Sequence, residues 1–243
     1  MVRRRLDVEL VQRGFFPDAD SAMRAVLAGD ISTDGRLLDH PGEQVKPGLA
    51  LHVRRHGAYV SRGGEKLEGG LAAFDVDPSG LACLDVGCST GGFTDCLLHH
   101  GASRVLAVDV GRAQFSWQLR CDPRVKLLER TNIVDLATSA YVGTIDLAVC
   151  DVSFTSVTFV LPAVMALLKG DGAFLTLVKP QFEAPRQDVG PGGVVRDQTV
   201  RRTALEKVAH AFESAGLNVR GSCRSPITGR KGNVEYLLYG ERA

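Results

Sequence analysis

The sequence predicts an α/β protein: a doubly wound, mainly parallel sheet with helices on both faces, preceded by a small α+β domain. Three observations carry this. From about residue 66 onward, apolar runs of strand length alternate with amphipathic stretches of helix length, the pattern of repeated β–α units. A glycine-rich turn, Gly87-Cys-Ser-Thr-Gly-Gly92, joins the first of those strands to the helix after it, the place where open α/β sheets bind ligands. The first 53 residues lack this alternation and show two helical patterns followed by turn-punctuated β segments.

The elements follow in order. Leu6, Leu10 and Val11 have helical spacing. A second helix is expected over 18–27, with Asp18 as cap and Gly29 beyond its end. Short β segments at 31–33, 36–38 and 49–53 are separated by Asp34-Gly35 and Lys46-Pro47-Gly48. Residues 54–65 are polar, basic and glycine-rich and read as a linker, which divides the chain into domains at 1–53 and 66–243. In the second domain, strands are expected at 81–86, 105–110, 125–128, 145–150 and 173–178, with helices from about residue 93 and over 156–169. A loop rich in proline and glycine spans 180–195, and a helix is expected over 199–214. The last two strands, 217–223 and 234–239, have only a loop between them and form an antiparallel pair at the sheet edge.

Composition narrows the class. Hydrophobic content of 44% and charged content of 23% are ordinary for a soluble globular protein. No apolar run approaches the roughly 18 residues of a membrane helix. The basic start has no apolar stretch behind it, so it is not a secretory signal, and a cytoplasmic protein without membrane contact is expected. Six cysteines form no CxxC pair and no histidine cluster has metal-ligand spacing, so no metal is expected and the thiols read as free. His99-His100 before Gly101 reads as a helix C-terminus. Net charge is only +1, but Arg3, Arg4, Arg5, Arg54, Arg55, Arg62 and Lys66 crowd the two ends of the first segment. Such a cluster suits RNA phosphates, and a solvated charged face explains it equally well.

The chemistry concentrates at strand ends. The turn Asp85-Val-Gly87-Cys-Ser89-Thr90-Gly91-Gly92-Phe93 is the expected cofactor cradle, its glycines letting backbone approach a ligand. The spacing differs from the dinucleotide G-x-G-x-x-G, which weakens a nicotinamide reading. Asp109, at the end of the second strand and 24 positions after Asp85, can accept bonds from ribose hydroxyls. Asp135, after the third strand, is expected near a purine ring. Asp151 and Lys179 follow the next two strands, and Glu235 opens the antiparallel last one. All three therefore belong to the rim that carries the glycine-rich turn, and Lys66 enters from the helix after the linker.

These residues resemble the TlyA (hemolysin A) family of rRNA 2′-O-methyltransferases over nearly the whole chain. The likeness rests on Arg5-Leu-Asp-Val-Glu-Leu-Val, Tyr59-Val-Ser-Arg-Gly-Gly-Glu-Lys-Leu67, Ser89-Thr-Gly-Gly-Phe-Thr94, Glu129-Arg-Thr-Asn132, Val178-Lys-Pro-Gln-Phe-Glu183, Val189-Gly-Pro-Gly-Gly-Val-Val195 and Gly232-Asn-Val-Glu-Tyr236. The first domain is similar to the RNA-binding domain named after ribosomal protein S-four. The second is similar to the FtsJ/RrmJ 2′-O-methyltransferases. The resemblance implies a Rossmann-like class I methyltransferase fold with a seven-stranded sheet, S-adenosyl-L-methionine as cofactor, and ribosomal RNA within ribosomal subunits as partner, with a cytidine ribose as target. It places the family's Lys-Asp-Lys-Glu tetrad on Lys66, Asp151, Lys179 and Glu235, with Asp151 also beside the cofactor. It implies RNA contacts for the clustered arginines and a role for Lys179 at the attacking hydroxyl. Cys88 departs from the small residue usual in the Asp-x-Gly-x-Ser motif. Two other classes stay open: a non-catalytic RNA-binding assembly factor, which would not bind the cofactor, and a membrane-active hemolysin, which would leak liposomes.

Overall fold

The computed structural model describes residues 3–27, 29–53, 58–229 and 231–242, and the chain divides into two compact units, Met1–His56 and Gly57–Ala243. Arg54 and Arg55 lie outside the described residues.

In the first unit, β1 (Arg4–Arg5) leads into α1 (Leu6–Gln12) and α2 (Ala19–Leu27). Asp18 sits just before α2 and accepts the Ser21 N–H at 2.7 Å, as an N-cap carboxylate does. Strands β2 (Ile31–Thr33), β3 (Arg36–Leu37) and β5 (His52–Val53) form an antiparallel sheet in the order β3-β2-β5. A separate ladder pairs β1 with β4 (Gln44–Val45), two segments not expected as strands. Leu6, Leu10, Ala22, Val26, Ile31, Leu38, Val45 and Leu51 close into one small core.

The second unit opens on α3 (Arg62–Phe74), whose N-cap Ser61 accepts the Gly63 N–H. The helix therefore starts inside the expected linker, and residues 62–65 are its first turn. The remaining elements are β6 (Ala82–Val86), α4 (Gly92–His99), β7 (Arg104–Asp109), α5 (Trp117–Arg120), β8 (Val125–Glu129), β9 (Ile145–Cys150), α6 (Val157–Leu167), β10 (Leu168–Val178), α7 (Pro180–Glu183), α8 (Gln198–Ser214), β11 (Leu217–Arg224) and β12 (Tyr236–Arg242). Helix α6 stops two residues earlier than expected because Gly143 and Thr144 N–H groups take the carbonyls of Ala166 and Leu167, and the chain turns straight into β10. The expected 180–195 loop contains α7 and two short 3-10 turns.

The seven strands run in the order β11-β12-β10-β9-β6-β7-β8. Strands β6 to β10 are mutually parallel, and β12 is antiparallel to both of its neighbours. Alternate residues of β9 feed opposite cores: Ala148 and Cys150 face α6 and α8, while Leu147 and Val149 face α3 and α4. Burial on both faces is why this strand is a continuous apolar run. The α8 side is closed by Phe174 stacked on Phe212 at 5.0 Å between centroids. Loss of the Phe212 ring would cost about 3–5 kcal/mol. Because β9 and β7 flank β6, the crevice at the topological switch opens above β6 and β9, on the rim where Gly87, Asp109 and Asp151 emerge.

Candidate active site

Backbone register brings the four expected residues to one rim. The β10–β12 ladder ends at Val178 opposite Tyr236, so Lys179 and Glu235 occupy the next rung. Asp151 follows Cys150, the last residue of β9, and its N–H donates to Val86 O of β6 at 3.0 Å. Helix α3 crosses the same strands, with its Gly70 against Leu175 of β10 and Leu237 of β12. Lys66, one turn earlier on α3, points to the rim. Two ion pairs result. Lys179 Nζ lies 2.5 Å from Asp151 Oδ1 and donates to Ser153 Oγ at 2.8 Å. Lys66 Nζ donates to Glu235 Oε2 at 2.6 Å. Both lysine side chains are about nine-tenths buried, and burying a cation is costly unless it is paired.

Next to this pair of pairs lies the glycine-rich turn. Asp85 is fully buried, and its Oδ2 accepts both the N–H and the hydroxyl of Thr94, at 2.9 and 2.7 Å. Its Oδ1 is buried with no hydrogen-bond partner among the described residues. Burial pushes this carboxyl up to about 7; the neighbouring charges of Asp151 and Asp109 add to the rise, and the bonds from Thr94 oppose it. Asp109 accepts Ser89 N–H at 2.7 Å and Gly111 N–H at 2.6 Å. A small cleft lined by Cys88, Ser89, Asp109, Gly111, Gln114 and Phe115 opens beside it. An unpartnered buried acceptor and a cleft with a strand-end carboxylate suit a ligand carrying amino and ribose groups.

The structure revises several expectations here. The space that a side chain would take at each glycine is filled by the protein. A Cβ on Gly87 would meet Asp151 O at 3.0 Å, one on Gly91 would meet Leu119 at 2.5 Å, and one on Gly92 would collide with Ser61 Oγ. The protein itself fills those spaces, so the glycines seat the turn against β9, α5 and α3, with Gly87 and Gly91 also at positive φ. Phe93 is 3% exposed and packs in the core with Leu67 and Cys96, so its ring is not a ligand wall. Thr90 meets the rest of the protein through its carbonyl, which accepts Ser116 N–H. Asp135 is exposed on a 3-10 turn after β8, on the correct rim but engaged with none of the other site residues.

Known proteins agree with this architecture. The family model for FtsJ-like methyltransferases matches residues 59–242. The 16S/23S rRNA (cytidine-2'-O)-methyltransferase TlyA of Mycobacterium tuberculosis (strain ATCC 25618 / H37Rv) is 44% identical over 98% of this chain and 89% of its own length. Hemolysin A of Brachyspira hyodysenteriae is 38% identical over 97% of this chain and 98% of its own. A solved hemolysin-named protein of Streptococcus thermophilus superposes with a TM-score of 0.74 at 38% identity, covering 100% of this chain and 90% of that one.

The chain belongs to the TlyA family of FtsJ-like methyltransferases.

Enzymes of the FtsJ-like type use S-adenosylmethionine. The expected RNA-facing arginines are less free than their clustering suggested. Arg4 pairs with Glu9 at 3.3 Å, and Arg5 grips Asp7 through two bonds of 2.7 and 3.1 Å. This hydrogen bonding holds the Asp7 carboxyl below its ordinary value. The first unit carries nine lysines and arginines against eight aspartates and glutamates, so it is a near-neutral body with a local arginine cluster. Arg3 is exposed, and Arg62 is exposed with a long 3.5 Å contact to Thr228 O among the described residues.

Two features of this TlyA-family site have no signal in the sequence. Phe154, three residues after Asp151, is 91% exposed with φ of 64° and lies 5.3 Å from the ring of Phe182. What sets it apart from other phenylalanines is its exposure, which sequence does not record. Glu68 of α3 and Cys96 and His100, one turn apart at the end of α4, offer potential ligand atoms within 4.8 Å of one another. Glu68 already accepts from His100 at 2.7 Å and from the Tyr59 hydroxyl, and burial pushes the Cys96 thiol up to about 12. The group acts as a hydrogen-bonded brace between α3 and α4.

Proposed function

We propose that this protein transfers a methyl group from S-adenosylmethionine to a ribose 2′-hydroxyl, that of a cytidine, in ribosomal RNA. The observation that carries this is the pair of lysine–carboxylate contacts, Lys179–Asp151 and Lys66–Glu235, at the rim that carries the glycine-rich turn. The named activity of the 44% identical relative supports the substrate.

The cofactor supplies a methyl group already activated on a sulfonium, so the protein's work is alignment and handling of the hydroxyl proton. Asp85, Ser89 and Asp109 would hold its amino and ribose groups. Lys179 Nζ is ion-paired with Asp151 and donates one of its three hydrogens to Ser153 Oγ. It keeps the capacity to meet the ribose hydroxyl, whether it donates to the oxygen or takes its proton. Lys66, anchored by Glu235, adds a second cation that steadies developing negative charge on that oxygen. The exposed ring of Phe154 beside Lys179's partner Ser153 offers a stacking face for a base withdrawn from folded RNA, and withdrawal costs a few kcal/mol. The arginines of the first unit position the RNA through its phosphates.

The test is methyl transfer from labelled S-adenosylmethionine to isolated ribosomal subunits that lack the modification, with mapping of the labelled nucleotide. Label on a cytidine ribose is the expected result. Base label, or none on either subunit while the cofactor binds, would refute it.

A further inference from the structure

Lys179 and Glu183 both bond to the loop carrying Asp151, and Phe182 between them lies against Phe154. Lys179 stands immediately before α7, and the last residue of that short helix, Glu183, is 5% exposed. Glu183 Oε1 accepts the Val157 N–H at 2.7 Å, and Oε2 accepts the Ser156 hydroxyl at 2.5 Å. Lys207 of α8 donates to Glu183 O at 3.0 Å and lies 3.3 Å from Oε2. The segment 151–157 is thus an arch with two feet. Asp151 and Ser153 hold one foot through Lys179, and Ser156 and Val157 hold the other through Glu183. Phe154 stands between the feet, 91% exposed, at a positive φ that a residue of its size adopts only when its surroundings impose it.

We infer that Glu183 is a positioning residue for methyl transfer: by pinning the second foot of this arch, it sets the placement of Asp151, Ser153 and Phe154 around Lys179. This rests on the reading of Lys179 and Asp151 as the reacting centre. The residue type matches the task. A carboxylate only accepts hydrogen bonds, and here it receives a backbone N–H, a hydroxyl and an ammonium. Glutamine at this position keeps the shape but presents an NH2 group to one of three donors, and it leaves Lys207 without its counter-charge. Glu183 and Ser156 bond to each other, to Val157 and to Lys207 rather than to the cofactor turn, which the arch touches through Asp151. The groove of about 860 Å3 on this side, lined by Phe159, Phe182, Thr203 and Lys207 among others, begins at the arch, so its wall moves with the pin.

The experiment compares full-length wild type with Glu183→Gln and the milder Ser156→Ala. Amide hydrogen exchange over 151–158, cofactor dissociation constant, melting temperature, and kcat and KM on ribosomal subunits are measured for each. In Glu183→Gln, exchange over 151–158 should rise at least about tenfold and kcat should fall about 10- to 100-fold, the scale of a misplaced reacting group. Cofactor affinity should fall far less than kcat, since Asp85, Ser89 and Asp109 lie outside the arch and only its first residue, Asp151, borders the cofactor turn. Ser156→Ala should show a smaller fall of the same kind, and should add little in the Glu183→Gln background because both changes break one link. Unchanged kcat despite faster exchange would overturn the inference. So would a fall in kcat matched by equal losses of cofactor affinity and melting temperature, which marks a structural role. If wild type methylates neither subunit, the proposed function fails by itself; unchanged exchange in Glu183→Gln would then still overturn the pin.

Discussion

The arginine pairs of the first unit and the two buried lysine pairs at the rim of the second treat charge in opposite ways. In the first, arginine heads stay in water while their carboxylate partners are buried beneath them: Arg4 is 47% exposed over Glu9 at 3%, and Arg5 is 56% exposed over Asp7 at 7%. In the second, the lysines themselves are buried, Lys66 at 10% and Lys179 at 9% side-chain exposure. A solvated guanidinium can turn from a carboxylate to a phosphate at small cost, because water and salt already screen its pairing. A buried ammonium cannot leave its partner without a heavy desolvation penalty. The first arrangement suits an external polyanion that comes and goes. The second adds little net stability and suits a reaction that needs cations held in fixed places.

The contrast can be broken most completely by separating the units. Removal of residues 1–53 should abolish RNA methylation while S-adenosylmethionine still binds, measured by cofactor titration alongside methyl transfer. Full activity of the truncated chain would show that the catalytic unit grips RNA unaided. Next in size, Lys179→Ala should lower kcat by at least about 10²-fold with an unchanged fold; near-normal turnover would remove Lys179 from the chemistry.

A smaller effect concerns pH. Asp85 ionises near 3.8 in the unfolded chain but, buried, near 7 in the folded one. Its contribution to stability is therefore complete below 3.8 and lost as pH rises through 7, since the folded state holds the proton longer. Thermal melts of wild type should fall relative to those of Asp85→Asn between pH 4 and pH 8, and parallel curves would show that Asp85 does not titrate in this window. The smallest effect belongs to the exposed arginines. Arg4→Ala and Arg5→Ala should each weaken RNA binding uniformly across sequences, lowering the slope of log K against log salt by about one for each phosphate left without its arginine. An unchanged slope would leave these arginines as partners of Glu9 and Asp7 alone.

Much of the catalytic unit was legible because burial on both sheet faces leaves unbroken apolar strands such as 145–150, and because strand ends in such a sheet share a rim. That rule gathered Asp151, Lys179 and Glu235 correctly. It failed where a residue's role depends on what fills the space around it. Gly87, Gly91 and Gly92 read as room for a ligand, but Asp151, Leu119 and Ser61 occupy that room. Phe93 read as part of the cradle, but its ring completes the core under α3. The start of α3 was hidden because Ser61, its cap, sits among glycines that mimic a linker.

The sequence by itself determined the alternation of elements, the antiparallel final strands, the two-part organisation and the set of charged residues at the strand ends, because these follow from periodicity and chain order. Only the tertiary structure decided that Lys66 pairs with Glu235, 169 positions away, that Lys179 pairs with Asp151, and that Glu183 pins Ser156 and Val157 while Phe154 stands out in solvent. Such pairings depend on ångström-scale distances between elements that meet only when the sheet and its helices are packed, and no local pattern of residues encodes those distances.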